Sequence, residues 1–231
     1  MKRTKFFSAK NIAYFAVLLA LVVVLQTCGG FFKIGATSLS FVLVPIVLGG
    51  ILLGPLAGGL LGFAFGFIVL MYGVAGADPF TAILVTNHPF LTTLVCLVKG
   101  VAAGVASAYV YKLIARKNTL AGVIVASAVA PVVNTGLFIL GALTMSGTLV
   151  ENFVAPDSTL VYFLFIGCAG WNFVIEFAID LVLSPALHRV VLVVEHKVID
   201  KKGQRKETAQ SAEEEELQNP PSQNTDSENI S

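Results

Sequence analysis

Charge is what this sequence lacks most: 13% of its 231 residues are Asp, Glu, Lys or Arg, while 56% are hydrophobic. Ordinary soluble domains carry about 25% charged residues, so this chain has too little polar surface to cover itself in water. It reads as an integral membrane protein. Its basic residues sit at segment ends rather than on one face, which leaves no footprint for nucleic acid.

Cysteine is also scarce. Cys28, Cys96 and Cys168 lie far apart, and an odd number without metal spacing gives neither a disulfide framework nor a zinc site. They are expected to act as small buried hydrophobes. A G-x-x-x-x-G-K-[ST] phosphate loop is missing, so the chain cannot draw on ATP by itself. No G-x-S-x-G elbow or H-E-x-x-H pair appears, which removes the usual machinery for hydrolysis. No resident cofactor or metal is expected. No internal repeat of the kind that builds a complete secondary transporter is visible.

What is present is a series of apolar runs. Lys2, Arg3 and Lys5 precede the run Ile12–Leu25 and could suggest a signal peptide. The absence of a small-residue cleavage site and the spans that follow favour a retained helix instead. From Ile34 to Ala77 no charge appears for 44 residues, enough for two spans of about 20 residues each, with Gly54-Pro55 as divider. The breaks predict six spans: about Asn11–Thr27, Ser40–Leu53, Pro55–Gly73, Pro89–Tyr111, Leu120–Thr144 and Leu160–Leu187. The expected fold is all-α, a six-helix transmembrane bundle over residues 1–198. Residues 199–231, with the acidic run Glu213–Glu216, read as a disordered tail. Thirteen of the fifteen Lys and Arg fall in the two terminal segments and the Lys112–Lys117 loop. The positive-inside rule then makes both termini cytoplasmic in a cell membrane.

Hydrophilic residues interrupt three of these spans at similar depth. Counted from the outer ends, Lys99 and Asn134 lie about 15 Å in and Asn172 about 18 Å, with Glu176 one turn deeper. Asn172, Glu176 and Asp180 are spaced i, i+4, i+8 and share a helix face. Charge at mid-membrane costs at least about 2.5–3.5 kcal/mol per group on insertion scales, so these side chains should face inward. Either Lys99 and Glu176 pair and pin the packing, or the layer floors a binding cavity. Pro131 and Gly136 loosen the helix around Asn134 where polar contacts are needed, which favours the cavity. Trp171, the sole tryptophan, suits stacking on a ligand and packing equally. Asn87 and His88, before Pro89, belong to the loop that would cap such a cavity.

Small residues form two further patterns. Gly54, Gly58, Gly62 and Gly66 make a small-xxx-small stripe suited to close helix packing. Ala9, Ala13, Ala16 and Ala20 form a ridge along the first helix, suited to packing inside the bundle or to docking another membrane protein.

Taken together these segments resemble the substrate-binding S component of energy-coupling factor (ECF) vitamin transporters. The resemblance rests on the alanine ridge, "LVPIVLGGILLGPLAGGLLGFAFG", "LVKGVAAGVASAYVYKLI", "APVVNTGLFILG" and "WNFVIEFAIDLVLSPALHRV", from about Ala9 to His188. It implies a six-helix binding subunit, not an enzyme, that captures a water-soluble vitamin of pantothenate, riboflavin or folate type from outside. It also implies a transmembrane coupling subunit and two cytoplasmic ATPases as partners. By position, Ala9/Ala13 or Ala16/Ala20 would dock to the coupling subunit. Lys99 suits a carboxylate-bearing ligand, so a small anionic vitamin is expected. The rival is a membrane-embedded enzyme acting on a lipid or peptide, with Glu176 as base.

Overall fold

A computed structural model of the chain describes residues 9–29, 33–34, 37–38, 41–168, 170 and 172–194. The acidic tail and Trp171 lie outside them. The described residues up to Val191 belong to one compact unit.

Helix α1 (Ala9–Gly29) is followed by a two-residue antiparallel pair, β1 (Lys33–Ile34) and β2 (Thr37–Ser38). Next come α2 (Leu43–Leu53), α3 (Pro55–Val74), α4 (Pro79–Asn87), α5 (Pro89–Ile114), α6 (Thr119–Leu143) and α7 (Ser146–Phe153). A short α8 (Leu160–Tyr162), a π-helical turn (Phe163–Cys168) and α9 (172–194) complete the described chain. Among the described residues, five helical runs are long and apolar enough to cross a membrane: α1, α3, α5, α6 and Leu160–Val194. The chain is thus a multi-pass helical membrane protein.

The element expected over Ser40–Leu53 is shorter than the others. Helix α2 has 11 residues, about 16 Å of rise against a hydrocarbon core of about 30 Å. Gly54, at φ 101°, stops it in a conformation open to glycine, and Pro55 opens α3 at its first position. Two expected loops contain helices. Asp78 caps α4 by accepting from Thr81 N–H and Oγ1–H, with Pro79 behind it. Helix α7 fills much of the segment carrying Glu151.

The tightest seam is between α3 and α5. A Cβ built on Gly58 would lie 2.5 Å from the Gly104 carbonyl oxygen. On Gly62 and Gly66 it would strike the carbonyls of Gly100 and Cys96 still more closely, and Gly100 and Gly104 meet Gly62 and Gly58 reciprocally. The stripe therefore packs backbone on backbone, in an antiparallel register, as small-residue membrane interfaces do. Around it, Leu18 and Val22 of α1, Ile46 of α2, Leu61 and Phe65 of α3 and Ala103 of α5 make one core cluster. Leu187 and Val191 of α9 join Val47, Tyr111, Val123 and Ala126 in a second. Phe80, Leu84, Met145, Leu149 and Leu164 make a third, which binds α4 and α7 together over one end of the bundle.

The alanine ridge lies elsewhere. Ala9, Ala13, Ala16 and Ala20 are all exposed, while Leu18, Val22 and Gln26 on the other face of α1 are buried. Packing within this chain does not account for it. Cys96 and Cys168 are buried as expected, but Cys28 is exposed at the end of α1.

Replacing Gly62 by Val is expected to push α3 from α5 and to cost about 1–3 kcal/mol by overpacking. Gly136→Ala serves as control, because its added methyl meets nothing within 4 Å. Differential scanning fluorimetry in detergent checks the pair: Gly62→Val should melt earlier, and Gly136→Ala should match or exceed the parent.

Candidate ligand site

Helices α1, α3, α5, α6 and α9 each send side chains into one pocket beneath the α4–α7 end. Lys99 comes from α5, Asn134, Thr135 and Phe138 from α6, and Asn172 and Glu176 from α9. Gln26, Phe65, Tyr72, Asp78, Phe80, Thr81 and Cys168 complete most of its wall. The four polar residues singled out by depth therefore meet at a single cavity. Its volume is about 90 Å³, small beside the roughly 300–1,000 Å³ of pockets that enclose drug-sized ligands. A vitamin-sized guest requires the walls to part.

Two of these groups are placed by their neighbours. The Lys99 Nζ lies 5.6 Å from the Phe65 ring centroid and 5.2 Å from that of Phe138. Both are cation–π distances, of the kind worth about 0.5–2 kcal/mol each. Among the described residues Lys99 makes no ion pair, so a pinning Lys99–Glu176 bridge is not what holds the layer. Asn172 Nδ2 donates to Glu176 Oε1 at 3.4 Å, joining consecutive turns of α9. Glu176 is 2% exposed and Asn134 6%. The Asn134 and Asn172 Oδ1 atoms are buried and meet no donor among the described residues. Deeper along the same helices, Ser127 Oγ and Asp180 Oδ2 are likewise buried without a hydrogen-bond partner among the described residues. Buried acceptors cost free energy unless a bound water or solute supplies the donor.

Local sequence explains why α6 can present an amide here. Pro131 lies inside the helix and has no N–H to give the carbonyl four residues earlier. Asn134 follows by one turn on the buried face. Opposite it, the π-helical turn Phe163–Cys168 widens the backbone and brings Cys168 to the pocket, a common device at functional sites.

Asn87 and His88 are not brought into this pocket. Asn87 Nδ2 donates to the Ile83 carbonyl at 2.8 Å, and His88 Nε2 lies 2.9 Å from Thr148 Oγ1. His88 ties the α4–α5 junction to α7. A second, larger cavity of about 510 Å³ lies between α6 and the segment around the π-turn. It is lined by Val132, Gly136, Ile139, Phe165, Ile166 and Val174, with Thr135 shared between both. Its exposed apolar wall suits it to the membrane rather than to a polar solute. Sequence reasoning missed Gln26, Asp78, Tyr72 and the ring-bearing wall. Asp78-Pro79 was a readable helix start, whereas single phenylalanines among seventeen carry no such signal. No group of three or more His, Cys, Asp or Glu is placed to hold a metal among the described residues.

A helical membrane protein with an internal pocket lined by hydrophilic side chains has a place to hold a small polar solute. The family described as the ECF transporter, substrate-specific component, matches residues 10–188, and the chain belongs to it. Comparison with curated proteins gives no match. The chain is thus a substrate-specific subunit of an ECF transporter, and the family implies association with an ECF module and a small-molecule substrate.

His88→Ala should remove the link to Thr148 and cost about 1 kcal/mol, seen as a lower melting temperature. Because His88 does not line the pocket, ligand affinity measured by calorimetry should change less than Asn134→Leu changes it.

Proposed function

We propose that the chain captures a water-soluble vitamin, of pantothenate, riboflavin or folate type, in the pocket around Lys99, Asn134, Asn172 and Glu176. The observation that carries this reading is the convergence of costly hydrophilic groups from α5, α6 and α9 on one cavity. Groups of this kind at membrane depth belong to substrate paths by default. In this reading six helices cross the membrane, with α2 the short one, and both termini are cytoplasmic, following the basic Lys112–Lys117 side. The α4–α7 end then faces outward and closes over the ligand. Trp171, on the same segment as Asn172, is a further candidate contact.

The exposed alanine ridge of α1 is the surface we assign to the coupling subunit. Small side chains let a partner helix approach closely, and the buried face of α1 is already occupied by α2 and α3. The partner, with two cytoplasmic ATPases, supplies the energy that this chain cannot.

Mass spectrometry of small molecules retained by the detergent-purified protein tests the reading directly. One vitamin at near-unit stoichiometry is expected, and none retained after gentle purification would sink it. Asn134→Leu should weaken binding by tenfold or more, about 1.4 kcal/mol. Ala13→Trp and Ala16→Trp should spare binding and abolish uptake in cells supplied with the ATPases and coupling subunit.

A further inference from the structure

The larger of the two cavities, about 510 Å³, is walled by α6 and the run Leu160–Val194, both long and apolar enough to cross a membrane. It therefore lies at hydrocarbon depth. It is also continuous with the lipid-facing surface, because Val132, Phe165, Ile166 and Val174 line it and are exposed. Thr135 supplies the only polar side chain among its lining residues, whereas an ordered water needs about two to four polar partners. Left empty, the space would forfeit dispersion contacts along its whole wall. An apolar guest suits it best.

Size and charge select the guest. On α6 the lining extends from Val132 to Ile139, two turns or about 10 Å of rise. Spread over that length, 510 Å³ gives a mean section of about 50 Å², against roughly 80–110 Å² for a helix about 10–12 Å across with its side chains. A partner helix is too wide, and a hydrocarbon chain is not. No charged side chain lines the crevice to hold a headgroup, so the part of a lipid that matches it is the tail.

We propose that this crevice is a binding site for a phospholipid acyl chain, inserted between α6 and the π-helical turn. The acyl chain backs the wall that carries Asn134, because the adjacent Thr135 lines both spaces. Gly136 keeps the crevice open: a Cβ built there meets nothing within 4 Å, and a large side chain at this position would take the guest's place. The site is distinct from the polar pocket and holds whether or not a vitamin binds there.

Photolabelling of the full chain in phosphatidylcholine nanodiscs tests it. The probe is a phosphatidylcholine bearing a diazirine midway along one acyl chain. Phe165 in the crevice and Phe67 on the exposed face of α3 make the comparison, since they are 52% and 46% exposed. They also lie at similar depth, about 8 and 10 Å from the α4–α7 ends of their segments. Phe165 should carry at least threefold more label than Phe67, with Val132 and Ile139 labelled alongside it. Gly136→Phe should bring Phe165 down to the level of Phe67 and leave Phe67 unchanged. Ile166→Trp, which fills the same space from the opposite wall, gives the reading if the melting curve shows that Gly136→Phe does not fold. Phe165 carrying no more label than Phe67 overturns the proposal and leaves an ordinary lipid-facing groove. Label on Phe165 that neither replacement lowers by twofold overturns it as well. Loss of the crevice label on adding the coupling subunit and ATPases would assign the space to a partner, with the same consequence.

Discussion

The contact on which the rest depends is the glycine seam between α3 and α5. Where Gly58, Gly62 and Gly66 meet Gly104, Gly100 and Cys96, backbone touches backbone with no room for a Cβ. In lipid, where apolar burial gives little drive for helices to associate, such fit is a main source of association. The seam also sets the pocket. Phe65 and Lys99 are the immediate neighbours of Gly66 and Gly100, so closing the seam brings ring and ammonium within cation–π distance. A charge that costs at least about 2.5–3.5 kcal/mol to insert is positioned by packing that uses no polar side chain.

How much of this was legible follows from cost. Lys99, Asn134, Asn172 and Glu176 stood out because each is expensive at membrane depth, and counting residues inward put them at one level. Periodicity exposed the glycine stripe but not its partner: Gly100 and Gly104 on α5 emerge only from the packing. Cheap residues were silent: Phe65, Phe80 and Phe138 belong in a membrane whether or not they line a cavity. Gln26 was readable in principle, as an amide near the end of an apolar run, but a position near a helix end has an innocent explanation. The helices α4 and α7 were hidden by brevity. Nine residues of α4 carry too few turns for periodicity to register, though Asp78-Pro79 announced its start. The shortness of α2 was visible as soon as Gly54-Pro55 was taken as a boundary.

The exposed face of α1 gives the opposite lesson. An alanine ridge in a sequence is ambiguous, because the same smooth surface serves neighbours within the chain and partners outside it. Burial resolves half of that ambiguity: Leu18, Val22 and Gln26 point to the bundle, and the alanines do not. Side chains so small contribute little dispersion to lipid contact. Their use on an outward face makes more physical sense where another helix comes close.

The pocket's walls differ in stiffness, and this bears on how a 90 Å³ cavity could admit a guest several times larger than a water. On the α3–α5 side, carbonyls already fill the space that any Cβ would need, so that wall cannot be compressed or parted without breaking the seam. Across from it, α6 carries Pro131 within its span, Gly136 faces open space, and a π-helical turn interrupts the facing segment. The larger apolar crevice lies behind this second wall, separated from the polar layer at Thr135, which lines both. Empty volume next to loosened helices is where side chains have room to move, and a lining too apolar to hold ordered water costs little to rearrange. Room to give is thus on the side of α6 and the segment after α8, the same elements that supply Asn134 and Asn172. The rigid wall holds the cation in place, and the loose wall carries the amides that would close on a ligand.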